Sequence, residues 1–307
     1  GGAACAPCGN GEGCFTSTDC TSKVCVGNVC QAPACNDGVK NGMETDLDCG
    51  GPCPADCPLG QGCTTNTDCA TQNCKTNICE CPAKMVKVPK TTQGAYCIDQ
   101  TEVTYHDYAL FLNATPPVQP AFCSGNVYIP LADWPPPVNT EGKPVHDVDW
   151  CDALAYCTYV GKHLCGQVGG GSNGYADYAS ADLSEWYNAC SIQGVNVYPY
   201  GSPFDTDLCV EHIDAPLPIE AVEVQDHAQS YNVIQSPCQG GQIGLYHMSG
   251  NLAEWEDSCD AANGGTDNCR LRGGSWNSSQ QAALMCASPG SAQRSAHSAE
   301  IGFRCCL

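Results

Sequence analysis

Apolar positions are spread unevenly along the chain. Through residue 81 they stand singly among Gly, Asn, Asp and Thr. Such a segment cannot bury a core large enough to offset its chain entropy, so covalent bridges must hold it. From Met85 onward apolar residues become frequent, and all five tryptophans lie in this part. Met85-Val-Lys-Val-Pro and Tyr96-Cys-Ile-Asp have the texture of strands. Thr104 to Asn113 has helical spacing, with Thr104 as N-cap and Tyr105, Tyr108 and Leu112 or Ala109 on one face. Asp149 to Val160 predicts a second helix with Trp150, Leu154, Cys157 and Val160 as its core stripe, and Leu183 to Cys190 a third. Long Gly-, Pro- and Asn-rich stretches separate these elements, which is unusual unless bridges or ions organise the coil. Few helices, short strands and much ordered loop predict an α+β domain over 82–307, preceded by a small disulfide-rich segment over 1–81.

The cysteines sharpen this division. The 307 residues include 28 cysteines, 15 of them at or before residue 81. Structural zinc would require answering Cys-x2-Cys pairs, often with His. Only Cys5/Cys8 has that spacing, and no His precedes residue 106. Disulfides are therefore expected, and with them an oxidising, extracellular or cell-surface location. Fifteen and thirteen are both odd, so full pairing requires a bridge between the segments, with Cys81 as the candidate. Cys305 and Cys306 are adjacent and are expected to take different partners. The net charge of −21, with 12 Lys plus Arg, makes nucleic acid and anionic lipid poor partners. No apolar run approaches the ~20 residues of a membrane span. No signal peptide opens the chain, as expected of a processed secreted form.

Residues 1–81 repeat. Gly11-Glu-Gly-Cys14-Phe-Thr-Ser-Thr-Asp-Cys20, then Cys25 and Cys30, matches Gly60-Gln-Gly-Cys63-Thr-Thr-Asn-Thr-Asp-Cys69, then Cys74 and Cys79, at an offset of 49 residues. The opening Gly1-Gly2-Ala-Ala-Cys5 resembles Gly50-Gly51-Pro-Cys53, so the chain is expected to begin in mid-repeat. The pattern resembles the cysteine-rich surface repeats of large secreted myxobacterial proteins. Between the copies, Asp37, Asn41, Glu44, Asp46 and Asp48 place oxygen side chains at short intervals around glycines. Calcium takes six to eight oxygens on a flexible loop, which makes these five a candidate calcium site. A solvated turn, with Asp and Asn bonded to their own backbone, is the alternative.

Seven motifs in series within 83–307 resemble the formylglycine-generating-enzyme, or sulfatase-modifying-factor, family. They are Met85-Val-Lys-Val-Pro; Ile98-Asp-Gln-Thr-Glu-Val-Thr; Pro144-Val-His-Asp-Val-Asp-Trp-Cys-Asp-Ala-Leu-Ala-Tyr-Cys with Gly161-Lys-His-Leu; Leu183-Ser-Glu-Trp with Tyr198-Pro-Tyr-Gly; Gly244-Leu-Tyr-His-Met-Ser-Gly-Asn-Leu-Ala-Glu-Trp; Arg272-Gly-Gly-Ser-Trp; and Ile301-Gly-Phe-Arg-Cys. The resemblance implies a C-type-lectin-like fold with much irregular loop. It also implies two copper(I)-binding catalytic cysteines, but their positions here hold Ser278 and Ala283. Soft thiolates suit copper(I); a hydroxyl and a methyl do not. Cys286, three residues on, is expected in a disulfide. An iron-binding branch of the family uses three histidines, whereas His106, His146, His163, His212, His227, His247 and His297 are scattered. Neither copper nor iron is expected. The resemblance also implies a calcium loop using Asn251 and Glu254, with Trp255 packed behind.

These readings point to a non-catalytic secreted or cell-surface binding or scaffolding protein, disulfide-stapled and calcium-stabilised. Its expected partner is an unidentified protein or carbohydrate, or copies of itself. Trp134 with Pro135, Pro136 and Pro137, and the Gly169–Tyr178 insert, are the most unusual loops. The alternatives are a structural subunit of an extracellular appendage or envelope complex, and an enzyme of unknown chemistry on the same fold, marked by His, Asp and Glu converging near Ser278.

Overall fold

A computed structural model describes residues 6–132, 134–136, 141–205, 208–209 and 238–307. The chain forms two compact units, Gly1–Ala83 and Lys84–Leu307, against the boundary after residue 81 expected from composition. His212, His227, Pro137 and the opening Gly1–Cys5 lie outside the described residues.

In the first unit the repeat is one small fold made twice. A 3-10 turn at Ser17–Asp19 precedes β1 (Cys25–Val26) and β2 (Val29–Cys30); a turn at Asn66–Asp68 precedes β3 (Cys74–Lys75) and β4 (Ile78–Cys79). Each turn is closed by a capping box, Thr16 with Asp19 and Thr65 with Asp68. Each hairpin turns on two residues at positive φ, Gly27 and Asn28 in one copy, Thr76 and Asn77 in the other, the geometry a two-residue hairpin requires. Cys14–Cys25 and Cys20–Cys30 recur as Cys63–Cys74 and Cys69–Cys79. Cys35–Cys53 and Cys49–Cys57 tie the segment between the copies. Half-cystines fill the small interior, where Cys49, Cys57, Cys63, Cys69 and Cys79 form one buried cluster. Sulfur thus takes the place of the aliphatic side chains that the composition lacks.

In the second unit β5 (Met85–Pro89) and β6 (Ala95–Asp99) pair antiparallel, with Val86 opposite Ile98 and Val88 opposite Tyr96. Three helices follow: α1 (Tyr105–Leu112), α2 (Trp150–Tyr159) and, after β7 (His163–Leu164), α3 (Glu185–Ser191). Thr104, Asp149 and Ser184 cap them, each side chain accepting the backbone N–H three residues on, which satisfies a donor the helix leaves unpaired. The chain closes through β8 (Ala253–Cys259), β9 (Asn268–Arg272), β10 (Ser291–Gln293), β11 (Ile301–Phe303) and β12 (Cys305–Cys306). Two four-stranded sheets result, in the orders β10-β9-β8-β11 and β5-β6-β12-β7, with β11 parallel to β8.

Helix boundaries follow the sequence closely; helix faces do so less well. On α1 the third buried residue is Phe111, not Leu112 or Ala109. On α2 Val160 is exposed and Leu154 half-buried, and the buried face runs through Trp150, Ala153, Tyr156 and Cys157. The pull comes from an aromatic core in which Tyr108, Phe111, Tyr156 and Phe303 stack or meet edge to face at 5.3–6.3 Å. Adjacent residues on a strand face opposite ways, so Cys305 reaches Cys157 of α2 while Cys306 reaches Cys165 beyond β7. Cys123–Cys151, Cys190–Cys286, Cys209–Cys238 and Cys259–Cys269 complete the printed pairs of this unit, and Cys81 and Cys97 are disulfide-bonded as well.

Candidate functional site

Beneath the last two strands lies a buried ion-pair core. Arg304, fully buried between β11 and β12, donates from Nε to Glu254 Oε2 and from Nη2 to Glu254 Oε1, each at 2.6 Å. It also donates to the carbonyls of Asp99 (3.0 Å) and Tyr246 (2.9 Å), and lies 3.8 Å from Glu102 Oε2. The Trp186 indole N–H donates to Glu254 Oε2 at 2.8 Å, and Asn251 Nδ2 donates to Glu102 Oε1 at 2.6 Å. Burial raises the carboxyls of both Glu254 and Glu102, against the opposing pull of the Arg304 charge.

This arrangement corrects the calcium assignment of Asn251 and Glu254. Both Glu254 oxygens already face a cation, the Arg304 guanidinium, and Asn251 turns its amide N–H toward Glu102. A calcium ion needs converging oxygen donors, and this donor set does not fit one. The five residues in the first unit do not fit one either. Asp37 accepts from the backbone of Ala34 and Val39 and from Asn41 Nδ2. Asp48 accepts from the backbone N–H groups of Asp37 and Gly38, and Asp46 from those of Leu47 and Gly62. Glu44 accepts from Asn41 N. Their oxygens close local turns one by one, which is the solvated-turn alternative.

Above the ion-pair core runs the segment from Gly273 to Ala283. Gly273 adopts φ +78°, and a Cβ there would stand 2.8 Å from Met248 O and 3.2 Å from the Trp186 ring, so the chain passes here only without a side chain. Trp276 N donates to Asn251 O at 2.7 Å, holding the next turn down. Ser278 Oγ accepts from Ser275 N at 2.9 Å and lies 3.4 Å from Ser275 Oγ, which donates to Glu300 Oε2 at 2.6 Å. Asn277 Nδ2 donates to the other Glu300 oxygen at 3.0 Å. Glu300 is the carboxylate that sequence reasoning missed; it comes from the loop before β11, far along the chain, with no motif to mark it.

The chemistry at this face is hard. Ser278 and Ala283 are both half-buried, offering a hydroxyl and a methyl, and the Cys286 sulfur is bound to Cys190. No thiolate pair is available for copper(I), so the residues present do not fit that ion. The histidines are dispersed: His146 sits between the Tyr105 hydroxyl and Asp147, and His163 pairs with Glu185. Among the described residues no metal-sized group contains two histidines. Burial would lower His163, but the hydrogen bond and charge of Glu185 raise it on balance. Burial, then the Arg304 charge, lowers His247 to about 4.

The unusual loops are anchored inward. The Trp134 ring lies 6.3 Å from Tyr105 and from Tyr108 and packs on the aromatic core. In the Gly169–Tyr178 insert, Tyr175 and Tyr178 face the Arg270 guanidinium at 3.8 and 4.2 Å, and Arg270 donates to Tyr175 O. Cation–π contacts hold this glycine-rich segment where it has no core of its own.

Comparison with known proteins gives one family. The profile of the sulfatase-modifying factor enzyme 1-like domain matches residues 62–307. Among solved structures, CarF is 19% identical with a TM-score of 0.47, over 71% of this chain and 87% of that one. Treponema denticola variable protein 1 is 18% identical, with a TM-score of 0.41 over 73% and 91% of the two chains. PvdO from Pseudomonas aeruginosa is 14% identical, with a TM-score of 0.41 over 74% and 92%. No curated protein matches the sequence.

Proposed function

The chain belongs to the sulfatase-modifying factor enzyme 1-like family, and we propose that it acts there as a non-catalytic binding or scaffolding module outside the cell or on its surface. The observation that carries this reading is the replacement of both catalytic-cysteine positions, by Ser278 and Ala283, with the neighbouring Cys286 held by Cys190. A soft two-sulfur site cannot be assembled from a hydroxyl, a methyl and an oxidised sulfur. The oxidising location rests on six disulfides among the described residues of each unit, since such bridges persist only where thiols are not kept reduced. The face around Trp276, Asn277, Ser278 and Glu300 offers an indole edge, an amide, hydroxyls and a carboxylate. Such groups suit a protein or carbohydrate ligand.

The test is incubation of the oxidised full chain with copper(I), oxygen and a cysteine-bearing sulfatase-motif peptide, read by mass spectrometry. No formylglycine product and no copper retained through gel filtration are expected. Multiple-turnover conversion, or one copper retained per chain, would overturn the reading.

A further inference from the structure

At the N-terminus of α2 two buried carboxylates and an imidazole converge apart from the face just described. Asp149, Asp152 and His297 each offer a ligand atom within 4.8 Å of the others. The remaining metal-sized groups among the described residues contain cysteines that are already disulfide-bonded. Oxidised sulfur is no thiolate ligand, so this cluster alone retains its donors.

Its geometry is unlike that of an ordinary capping box. Asp149 Oδ1 accepts from Asp152 N at 2.9 Å, and Asp152 Oδ2 accepts from Asp149 N at 3.0 Å, which sets two acids side by side in the interior. Asn126 Nδ2 donates to Asp152 Oδ1 at 2.6 Å. Burial first, and the Asp149 charge second, push the Asp152 carboxyl well up. Like charges so placed repel unless a cation or proton lies between them. The nearby Arg294 offsets part of this charge, but its guanidinium is bonded to Asp267 at 2.6 Å and stacked over Phe122 and Trp150.

A second observation comes from outside the carboxylates. His297 Nδ1 lies 3.0 Å from Ser295 O, where it donates its proton, and this leaves Nε2 facing Asp152 Oδ2. The Nε2–Oδ2 distance is 4.0 Å, too long for a hydrogen bond. Two ligands bound at about 2.0–2.2 Å to one zinc ion stand about 3.4–4.2 Å apart. A ligating histidine held at its other nitrogen by a backbone carbonyl is the usual support of such a site. The positive end of α2 opposes a cation, and the two carboxylates offset it.

We propose that Asp149, Asp152 and His297 bind one divalent ion of the zinc class, a site that ties the start of α2 to the loop before β11. Imidazole with two carboxylates selects zinc-like ions over calcium, which takes oxygen donors. The ion neutralises the paired acids, and water completes its shell on the half-exposed His297 side.

The experiment is isothermal titration of the chelator-treated, disulfide-intact chain with zinc chloride at pH 7.5, and in parallel with calcium chloride. One zinc per chain and no calcium binding are expected, with affinity lowered at least tenfold in His297→Ala and in Asp149→Asn. Asparagine is itself a strong N-cap, and near-ultraviolet circular dichroism verifies that each variant is folded. Absence of zinc binding by the wild type, or wild-type affinity in either folded variant, overturns the proposal. If Asp149→Asn does not fold, His297→Ala at its half-exposed position decides alone.

Discussion

Replacing Arg304 with methionine tests the assignment of Asn251 and Glu254 to an ion-pair core. The substitution keeps an unbranched apolar stem and removes the guanidinium. Two charge-assisted hydrogen bonds of 2.6 Å to Glu254 disappear, as do the donors to the carbonyls of Asp99 and Tyr246. Bonds to charged groups contribute about 1.5–3 kcal/mol each, and breaking a buried pair by removing one partner costs about 3–5 kcal/mol. We expect a loss of about 4 kcal/mol at pH 7.5, measured by guanidinium unfolding with disulfides intact. Tryptophan fluorescence is a local reporter, because Trp186 donates to the same carboxylate. The pH dependence has a definite sign. Without Arg304 the Glu254 and Glu102 carboxyls, already raised by burial, rise further in the folded state. Protonation neutralises them, so the deficit is largest above that raised pKa and shrinks as pH falls through it toward about 4.3. Glu254→Gln added to Arg304→Met removes the orphaned charge and restores part of the loss. A deficit under about 1 kcal/mol, or one unchanged from pH 7.5 to 5, refutes the reasoning. Restoration of Arg304→Met by millimolar calcium reinstates the calcium site that the geometry argues against.

Two further outcomes follow from the bridges and from His163. Cys157–Cys305 closes a separation of 148 residues and Cys259–Cys269 one of 10; loop entropy assigns them about 5 and about 3 kcal/mol. The paired alanine variants should therefore differ by about 2 kcal/mol in unfolding free energy, and equal or reversed losses refute the entropic account. His163 is raised above its ordinary value by Glu185, so its stabilisation is fully present below about pH 6.5 and is lost as pH rises through the raised folded value. His163→Gln should be less stable than wild type at pH 5.5 and no different at pH 9; a pH-independent difference contradicts the pairing.

What was legible in the sequence was mostly local. The caps at Thr104 and Asp149 lie next to the helices they start, and the separate partners of Cys305 and Cys306 follow from strand alternation. The 49-residue repeat returned as one hairpin made twice because its cysteine spacing carries its bonding. Side-chain faces were harder. Phe111 replaced Leu112 in the core of α1 because Tyr156 and Phe303 supply an aromatic pocket, and no periodicity within α1 records what lies opposite. The site assignments were hardest, since Glu254 reads as a calcium ligand until Arg304, 50 residues away, is seen to hold both its oxygens. Glu300 beside Ser275 and His297 beside Asp152 were hidden for the same reason: each contact is made across the fold.

The separation of support from site explains how the family's scaffold persists here without its catalytic sulfurs. Arg304, Glu254, Glu102 and Asn251 lie beneath the Gly273–Ala283 segment, and none of their bonds reaches Ser278 or Ala283. Removing thiols from positions 278 and 283 therefore costs the fold none of its buried charge pairing. Cys286 does contribute to stability, but through Cys190 on α3, a bridge that fixes the segment's far end whatever its middle contains. Ser275 and Glu300 then hold the middle with hydrogen bonds that need no metal. A scaffold whose buried charges, bridges and loop anchors are independent of two surface positions can lose the chemistry of those positions and keep its shape. The same independence means that changes at Trp276, Asn277 or Ser278 should alter what the face binds with little effect on stability.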